Sequence, residues 1–470
     1  MITRRTSLGV IGAALAKPTF AATPRMTKDV DVVIVGAGLS GLLAALILEE
    51  QGKSVVVVEA KNRIGGRCYT FTDLPGMPEA GGQSVGAMYA RFLDWCDRLG
   101  VKRSPEESAP AGWVYNIKGQ NIQRKDWATH ALNPFADADK QVTPDAYRFR
   151  MLDRAKTFTD LESWVEPAKY KDDTSVYAAM KAKGLSDAAI ALGFGANPGY
   201  GHTPYDLSSV HMFHVSNFAA HQMQSGPPFF WSIDGGNQSL PFAMRKALKG
   251  DLVLNSPIAA VRGDSRGVDV IARDGRRFHG KRAIVTLPFS ALRLVDFDPG
   301  LGGAQAEAVN TMPYGVCWHA FLSVGKKFWE SDGLPPQTWS DSQVGRASVV
   351  RDGKDVVGLY VFLTGRQAMT LNRLPLEEAK QAYMAALHET RPATKGAVKM
   401  VRAWSWVNDP YAGGMYAYWR PGMIGRFKAD MAKPANGVHF AGEHTADSTR
   451  GLEGALESGE RGATEVLALL

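Results

Sequence analysis

Gly36, Gly38 and Gly41, followed eighteen residues later by Glu59, form the strongest chemical constellation in this chain. Each residue has a physical task. Gly36 makes a tight turn, Gly38 lets a pyrophosphate approach the backbone, and Gly41 lets a helix pack on the preceding strand. The helix N-terminus offers free N–H groups to phosphates, and the Glu59 carboxylate can accept bonds from a ribose diol. An acid at this position disfavours a 2′-phosphate and hence NADP, but the spacing alone does not separate NAD from FAD. A second group is out of keeping with its neighbours: His319 stands in the apolar run Val316–Val324. A buried imidazole costs free energy unless it is hydrogen-bonded, so His319 is either a satisfied core residue or points into a working site.

The elements that position these residues follow from patterning. Val30–Val35 is a continuous apolar strand, Leu42–Glu50 has helical periodicity, and Ser54–Val58 is a second strand ending at Glu59. This strand–turn–helix–strand order is what makes the glycine spacing specific. Between residues 253 and 288 short alternating strands are separated by the turn signals DSRG and RDGR. With 470 residues the chain can form two or three domains with full cores. The formal charge of +7 comes from scattered Lys and Arg without a basic block, so no nucleic-acid partner is expected. Cys68, Cys96 and Cys317 stand far apart, which argues against a zinc site or a disulfide framework. The N-terminus carries Arg4 and Arg5, then the weakly apolar GVIGAALA and small residues near Ala21 and Ala22. This is the layout of a twin-arginine export signal over residues 1–25, and it predicts a periplasmic or secreted protein. No later apolar run is long enough to span a bilayer, so no membrane anchor is expected.

The segment EAKNRIGGRCYT (59–70) resembles the second fingerprint of the flavin-dependent monoamine oxidase family, which includes nicotine- and polyamine-oxidising relatives. The resemblance implies FAD, with Ala60, Arg63, Gly65, Gly66 and Arg67 at the pyrophosphate and flavin. It also implies that EAGGQSVG (79–86) runs beside the isoalloxazine, through Gly82, Gln83 and Ser84, and that Val261 lies at the adenine end. In GVHFAGEHTADSTRGLEGALESGERGATEVLALL (437–470), Gly442 and Glu443 match the family's ribityl-binding turn, and the helix from about Leu452 points its N-terminus at the flavin. The implied fold class is α/β: a Rossmann-like FAD-binding domain of the glutathione-reductase/amine-oxidase type with a discontinuous α+β substrate domain. The FAD-binding domain is expected over 29–93, 231–295 and 402–470, and the substrate domain over 94–230 and 296–401.

By the same resemblance, WSWVNDPYAGGMYAYWRPG (404–422) aligns beside the flavin. Tyr416 and Trp406 would frame the amine in an aromatic slot. Met415 takes the place of the cysteine that links flavin covalently in some relatives, so FAD is expected to be non-covalent. Gly451 stands where monoamine oxidases carry a second cage aromatic, which leaves the cage one-sided unless a ring such as Trp419 replaces it. His319 replaces a lysine that holds water near the flavin, and is expected to position water and to alter reactivity toward O2. The expected reaction is hydride transfer from an amine α carbon to flavin N5, giving an imine that hydrolyses. The expected acceptor is O2 or a c-type cytochrome, and the expected assembly a homodimer. An L-amino-acid oxidase and a catalytically silent flavin-binding protein are the rivals; a desaturase fits the GGMY segment less well. Tyr89 occupies the place of the arginine that pairs the α-carboxylate in amino-acid oxidases, with Arg91 two residues on. This favours an amine without an α-carboxylate. The cluster His211, Phe213, His214 and Phe218 is read as core.

Overall fold

The computed structural model describes residues 29–106, 112–153, 158, 160–264 and 266–470, so the export signal expected over 1–25 lies outside the described residues. Valine-rich segments form the middle of an eight-stranded sheet. Its order is Asp251–Val253, Val55–Val58, Val30–Val35, Arg277–Val285, Gly267–Ala272, Ile258–Asp264 and Asp296–Asp298, with Val438–Phe440 pairing Arg277–Val285. Val30–Val35 lies parallel to both neighbours, with Ile34 opposite Val57 and Ile284. Parallel strands of this kind are covered on both faces, and Val55–Val58 is buried throughout. The turn signals read from the sequence join antiparallel partners, Ile258–Asp264 to Gly267–Ala272 and then Arg277–Val285.

Helix Leu39–Glu50 starts at Gly38 directly after the first strand, and its small residues let the C-terminal helix Gly451–Leu467 lie against it. A Cβ at Gly459 would fall 2.4 Å from the Ser40 carbonyl oxygen, and the Ser40 and Ser458 hydroxyls are 3.3 Å apart. The first turn of one helix therefore packs on the middle of the other.

A second, seven-stranded sheet runs in the order Val398–Trp404, Cys317–Val324, Asp355–Thr364, Arg346–Asp352, Gln337–Ser340, Trp113–Ile117 and Gln120–Gln123. Cys317–Val324 sits between two antiparallel neighbours, with His319 opposite Phe362 on one side and Trp404 on the other. Its period-two alternation divides its side chains. Trp318, Ala320 and Leu322 enter a core with Phe328 and Tyr383, whereas Cys317 packs with Trp406 and Met415, and Phe321 with Phe71 and Ala80. His319 is thereby directed toward the seam between the two sheets. Among the described residues no helix is long and apolar enough to cross a membrane.

Adding a methyl group at Gly459 forces the two helices apart. Gly459→Ala is expected to lower stability by about 1–3 kcal/mol in denaturant unfolding. An unchanged unfolding midpoint would contradict the close approach of these helices.

Candidate active site

A cavity of ≈ 480 Å³ follows the seam from the glycine turn to the His319 strand, a size typical of small-molecule sites. At one end Gly36 adopts φ +105°, where a side chain would be strained and would strike the Thr286 hydroxyl at 2.5 Å. No heavy atom lies within 4 Å of a Cβ placed on Gly38, so backbone N–H groups there are open to a ligand. Gly41 does not line the cavity; its Cβ would sit 2.0 Å from the Gly36 oxygen, so glycine is required for the turn to meet the helix. The Gly65 amide donates to the Ala37 oxygen at 2.8 Å, and a Cβ on Gly66 would lie 3.4 Å from the Gly38 Cα. The two glycine segments thus form one cradle.

Glu59 is buried beside Ala60 on the cavity wall. One of its oxygens accepts the Ala37 N–H and the other the Lys61 N–H, each at 2.8 Å. Burial raises its pKa, and each oxygen retains a lone pair for a hydroxyl donor. Arg67 donates from Nη1 to the Met415 carbonyl at 2.6 Å and to Glu443 at 3.0 Å. Gly82, Gln83, Ser84, Gly442 and Leu452 complete this wall.

Two expected contacts fall elsewhere. Arg63 does not line the cavity: its guanidinium lies over the Tyr69 ring at 4.4 Å and bonds the Ile64 carbonyl, with Nη2 buried and unpartnered. Val261 packs inside the sheet core, while Ser256, Pro257 and Ile258, at the start of the same strand, line the cavity. A register irregularity between Ile258 and Ala260 marks where that strand turns away from the site.

Trp406, Tyr416 and His319 all line the other end. Trp406 donates from Nε1 to the Ala80 oxygen at 2.7 Å. The Tyr416 hydroxyl donates to the Gly199 carbonyl, and its ring lies against Tyr200 with centroids 4.5 Å apart at 36°. Tyr200 thus extends the Tyr416 wall instead of standing across a slot from it, and Trp419, which also lines the cavity, packs edge-on against Trp164 at 5.8 Å. The space at Gly451 faces the Tyr89 hydroxyl, 4.0 Å from a Cβ placed there.

His319 is buried, stacked on Phe362 at 4.9 Å, with Nδ1 and the Tyr360 hydroxyl 2.5 Å apart. Nε2 has no partner among the described residues, and burial pulls the imidazole pKa down to about 3, so the ring is neutral. With Tyr360 donating to Nδ1, Nε2 carries the hydrogen and is a buried donor without a partner among the described residues. His211 and His214, read as core from the sequence, also line the cavity; His214 stacks on Trp164 at 4.8 Å. His444 lies over Gly442 with both ring nitrogens unpartnered. Arg148, Arg346 and Arg450 line the same space, from a helix, a strand and the residue before the C-terminal helix. Their sequence positions gave no sign of this convergence. Arg91 points away from the cavity, pairing with Glu453 and, at 2.6 Å, Glu460.

The open Gly38 backbone, the two helix N-termini, the Glu59 carboxylate and the Arg67 guanidinium match an anionic dinucleotide with a ribose, so these residues fit FAD. Residues 39–467 match the family model for flavin containing amine oxidoreductase. An L-amino acid dehydrogenase of Synechocystis sp. is 25% identical over 94% of this chain and 96% of that protein. A flavin-containing amine oxidase of Oncorhynchus mykiss is 25% identical over 93% of this chain and 85% of its own length. The fold is shared with cyclohexylamine oxidase from Brevibacterium oxydans, at a TM-score of 0.78 and 22% identity, covering 94% and 99% of the two chains.

Burial holds His211 near pKa 3, His214 near 4 and His319 near 3, and His444 well below its ordinary value. A histidine lowered on folding contributes stability that is complete above its unfolded pKa of about 6.5 and is lost as pH falls through the folded value. The unfolding midpoint is therefore expected to drop steadily from about pH 6.5 toward pH 3–4, and His211→Asn to flatten that slope. A flat pH profile of the wild type across this range would contradict the assignment.

Proposed function

We propose that this chain, which belongs to the flavin-containing amine oxidoreductase family, oxidises an amine at its α carbon with non-covalently held FAD. FAD, when bound, supplies the hydride acceptor and later passes the electrons to O2 or to a periplasmic carrier such as a c-type cytochrome. The observation that carries this reading is one continuous cavity, with the open Gly38 cradle at one end and the Tyr416–Tyr200 pair at the other.

The residues divide the work by chemistry. Tyr416 and Tyr200, packed on one another, form one aromatic wall that restricts the orientations of a bound amine, and an aromatic face favours a partly cationic nitrogen beside it. Trp406 and Phe362 keep the reacting region apolar and exclude bulk water. None of these groups acts as a strong base, because burial keeps the Tyr416 phenol protonated. His319 Nε2 is the polar atom placed to hold a water for imine hydrolysis or to set the rate of reoxidation. Non-covalent cofactor binding is supported by Met415, whose thioether cannot form the family's thiol linkage. Cys68 also lines the cavity, but burial pushes its thiol pKa well up and leaves it a poor nucleophile. The export signal over 1–25 supports folding around the cofactor before translocation, and a homodimer is part of the same proposal.

Mixing the purified flavoprotein anaerobically with a panel of amines is expected to bleach the flavin, and acid precipitation to release it intact into the supernatant. Persistence of the oxidised spectrum with every amine would leave the silent-binder reading in its place. His319→Ala is expected to change the rate of reoxidation by air about tenfold or more while reduction by amine persists. Equal reoxidation rates in the two proteins would remove His319 from that step. Replacing both Arg4 and Arg5 by Lys is expected to retain the protein in the cytoplasm, read by cell fractionation.

A further inference from the structure

We propose that Arg148, Arg346 and Arg450 form an anion-recognising end of the substrate cavity, and that the amine oxidised there carries a carboxylate. The inference rests on the amine-oxidising reading and narrows its substrate class.

Each guanidinium is held near the reacting rings by a separate element. Arg148, on helix Pro144–Asp153, packs over Gly199, where a Cβ would fall 2.5 Å from its Nη1. Gly199 is the residue whose carbonyl accepts the Tyr416 hydroxyl. Arg450 stacks 5.2 Å from the centroid of Tyr200, the ring that lies on Tyr416, and 5.4 Å from Phe218. Tyr200 therefore touches both Tyr416 and Arg450 and links the cation to the reacting ring. Arg346, on strand Arg346–Asp352, lies 5.5 Å from the Trp113 ring and bonds the Ser348 hydroxyl at 3.2 Å.

Among the described residues none of the three forms an ion pair. Arg148 has one bond, to the Asn197 carbonyl at 3.3 Å, and the Nε of Arg450 is shut off from solvent without a partner. The carboxylate that acts on Arg148 and Arg346 is Asp145, which instead accepts the Tyr115 hydroxyl at 2.9 Å, and Arg450 senses only the Tyr89 phenol. The arginines also repel one another: Arg346 and Arg450 both add to the burial that brings Arg148 down to about 10, still protonated at neutral pH. Gathering three unneutralised cations in a half-enclosed space is costly unless an anion is to be bound there. Guanidinium forks match carboxylates with paired, charge-assisted hydrogen bonds. A carboxylate held at this end leaves the amine end of the same molecule facing the Tyr416–Tyr200 wall. The cations come from outside the segment Gly86–Phe92, where Tyr89 lines the cavity beside Arg450 and Arg91 is engaged by Glu453 and Glu460.

The test compares matched pairs as anaerobic reductants of the holoenzyme: L-phenylalanine against 2-phenylethylamine, and 4-aminobutyrate against butylamine. In parallel, phenylacetate and its amide are titrated as ligands, followed by thermal shift of the holoenzyme. The carboxylate-bearing member of at least one pair is expected to half-saturate at a concentration about tenfold or more below its partner. In Arg148→Met and Arg450→Met that advantage shrinks about tenfold or more, because half-saturation by the carboxylate-bearing member rises far more than that by its carboxylate-free partner. Which pair responds distinguishes an α-carboxylate from a distant one. If carboxylate-free amines reduce the flavin as well as or better than both acids, the proposal is overturned and the amine-oxidising reading stands. If no amine reduces the flavin, that reading fails, and the phenylacetate arm still decides. Stabilisation by phenylacetate but not by its amide, lost in the double variant, supports the anion site; no stabilisation overturns it.

Discussion

Two helices, Leu39–Glu50 and Gly451–Leu467, start at the same cavity and lie close enough that only glycine fits at position 459. Each helix N-terminus carries the equivalent of about half a positive charge and opens on the cavity. An anionic ligand reaching both ends would satisfy their free N–H groups. The rest of the site is fitted to this constraint. Gly36 and Gly41 bring one helix to the turn, and Gly65 and Gly66 lay a second loop on it. At the other helix, Glu457 fixes the approach by accepting the Asp447, Ser448 and Thr449 amides.

The second sheet contributes the reacting end through strand alternation. A one-residue slip of Cys317–Val324 would turn His319 into the apolar core around Tyr383 and send Trp318 or Ala320 into the cavity. Tyr360 and Phe362, on the neighbouring strand, bond and stack the imidazole, which fixes its orientation, while burial keeps it neutral. The histidine thus brings one hydrogen-bonding atom to the cavity and no charge. The charge at that end comes from arginines whose guanidinium groups rest on aromatic or glycine surfaces.

Local patterns in the sequence carried the nucleotide cradle well, because tight turns restrict residue type: Gly36, Gly38 and Gly41 are adjacent in the chain and their spacing is their geometry. His319 was legible for a related reason, being a polar residue inside an apolar strand. Tyr200, Arg148, Arg346 and Arg450 were not legible, since the fold gathers them from distant segments whose local patterns are ordinary. Arg63 and Val261 were misplaced for the complementary reason. A matched motif locates a backbone, but the Tyr69 ring draws Arg63 aside, and a strand irregularity beyond Ile258 decides which residue faces the cavity. The expectation of an amine without an α-carboxylate rested on Tyr89 and the amine-oxidase pattern of its segment, whereas the positive charge of the cavity is assembled elsewhere.

The account turns on cleavage of the bond between hydrogen and the amine α carbon inside this cavity. The most direct measurement is the rate of anaerobic flavin reduction by the fastest-reducing amine and by the same amine deuterated at that carbon. The account predicts that deuteration slows reduction several-fold with the half-saturating concentration little changed. Equal reduction rates at saturation for the two isotopologues would contradict rate-limiting transfer from that carbon, and an absence of reduction by either would contradict the oxidation itself.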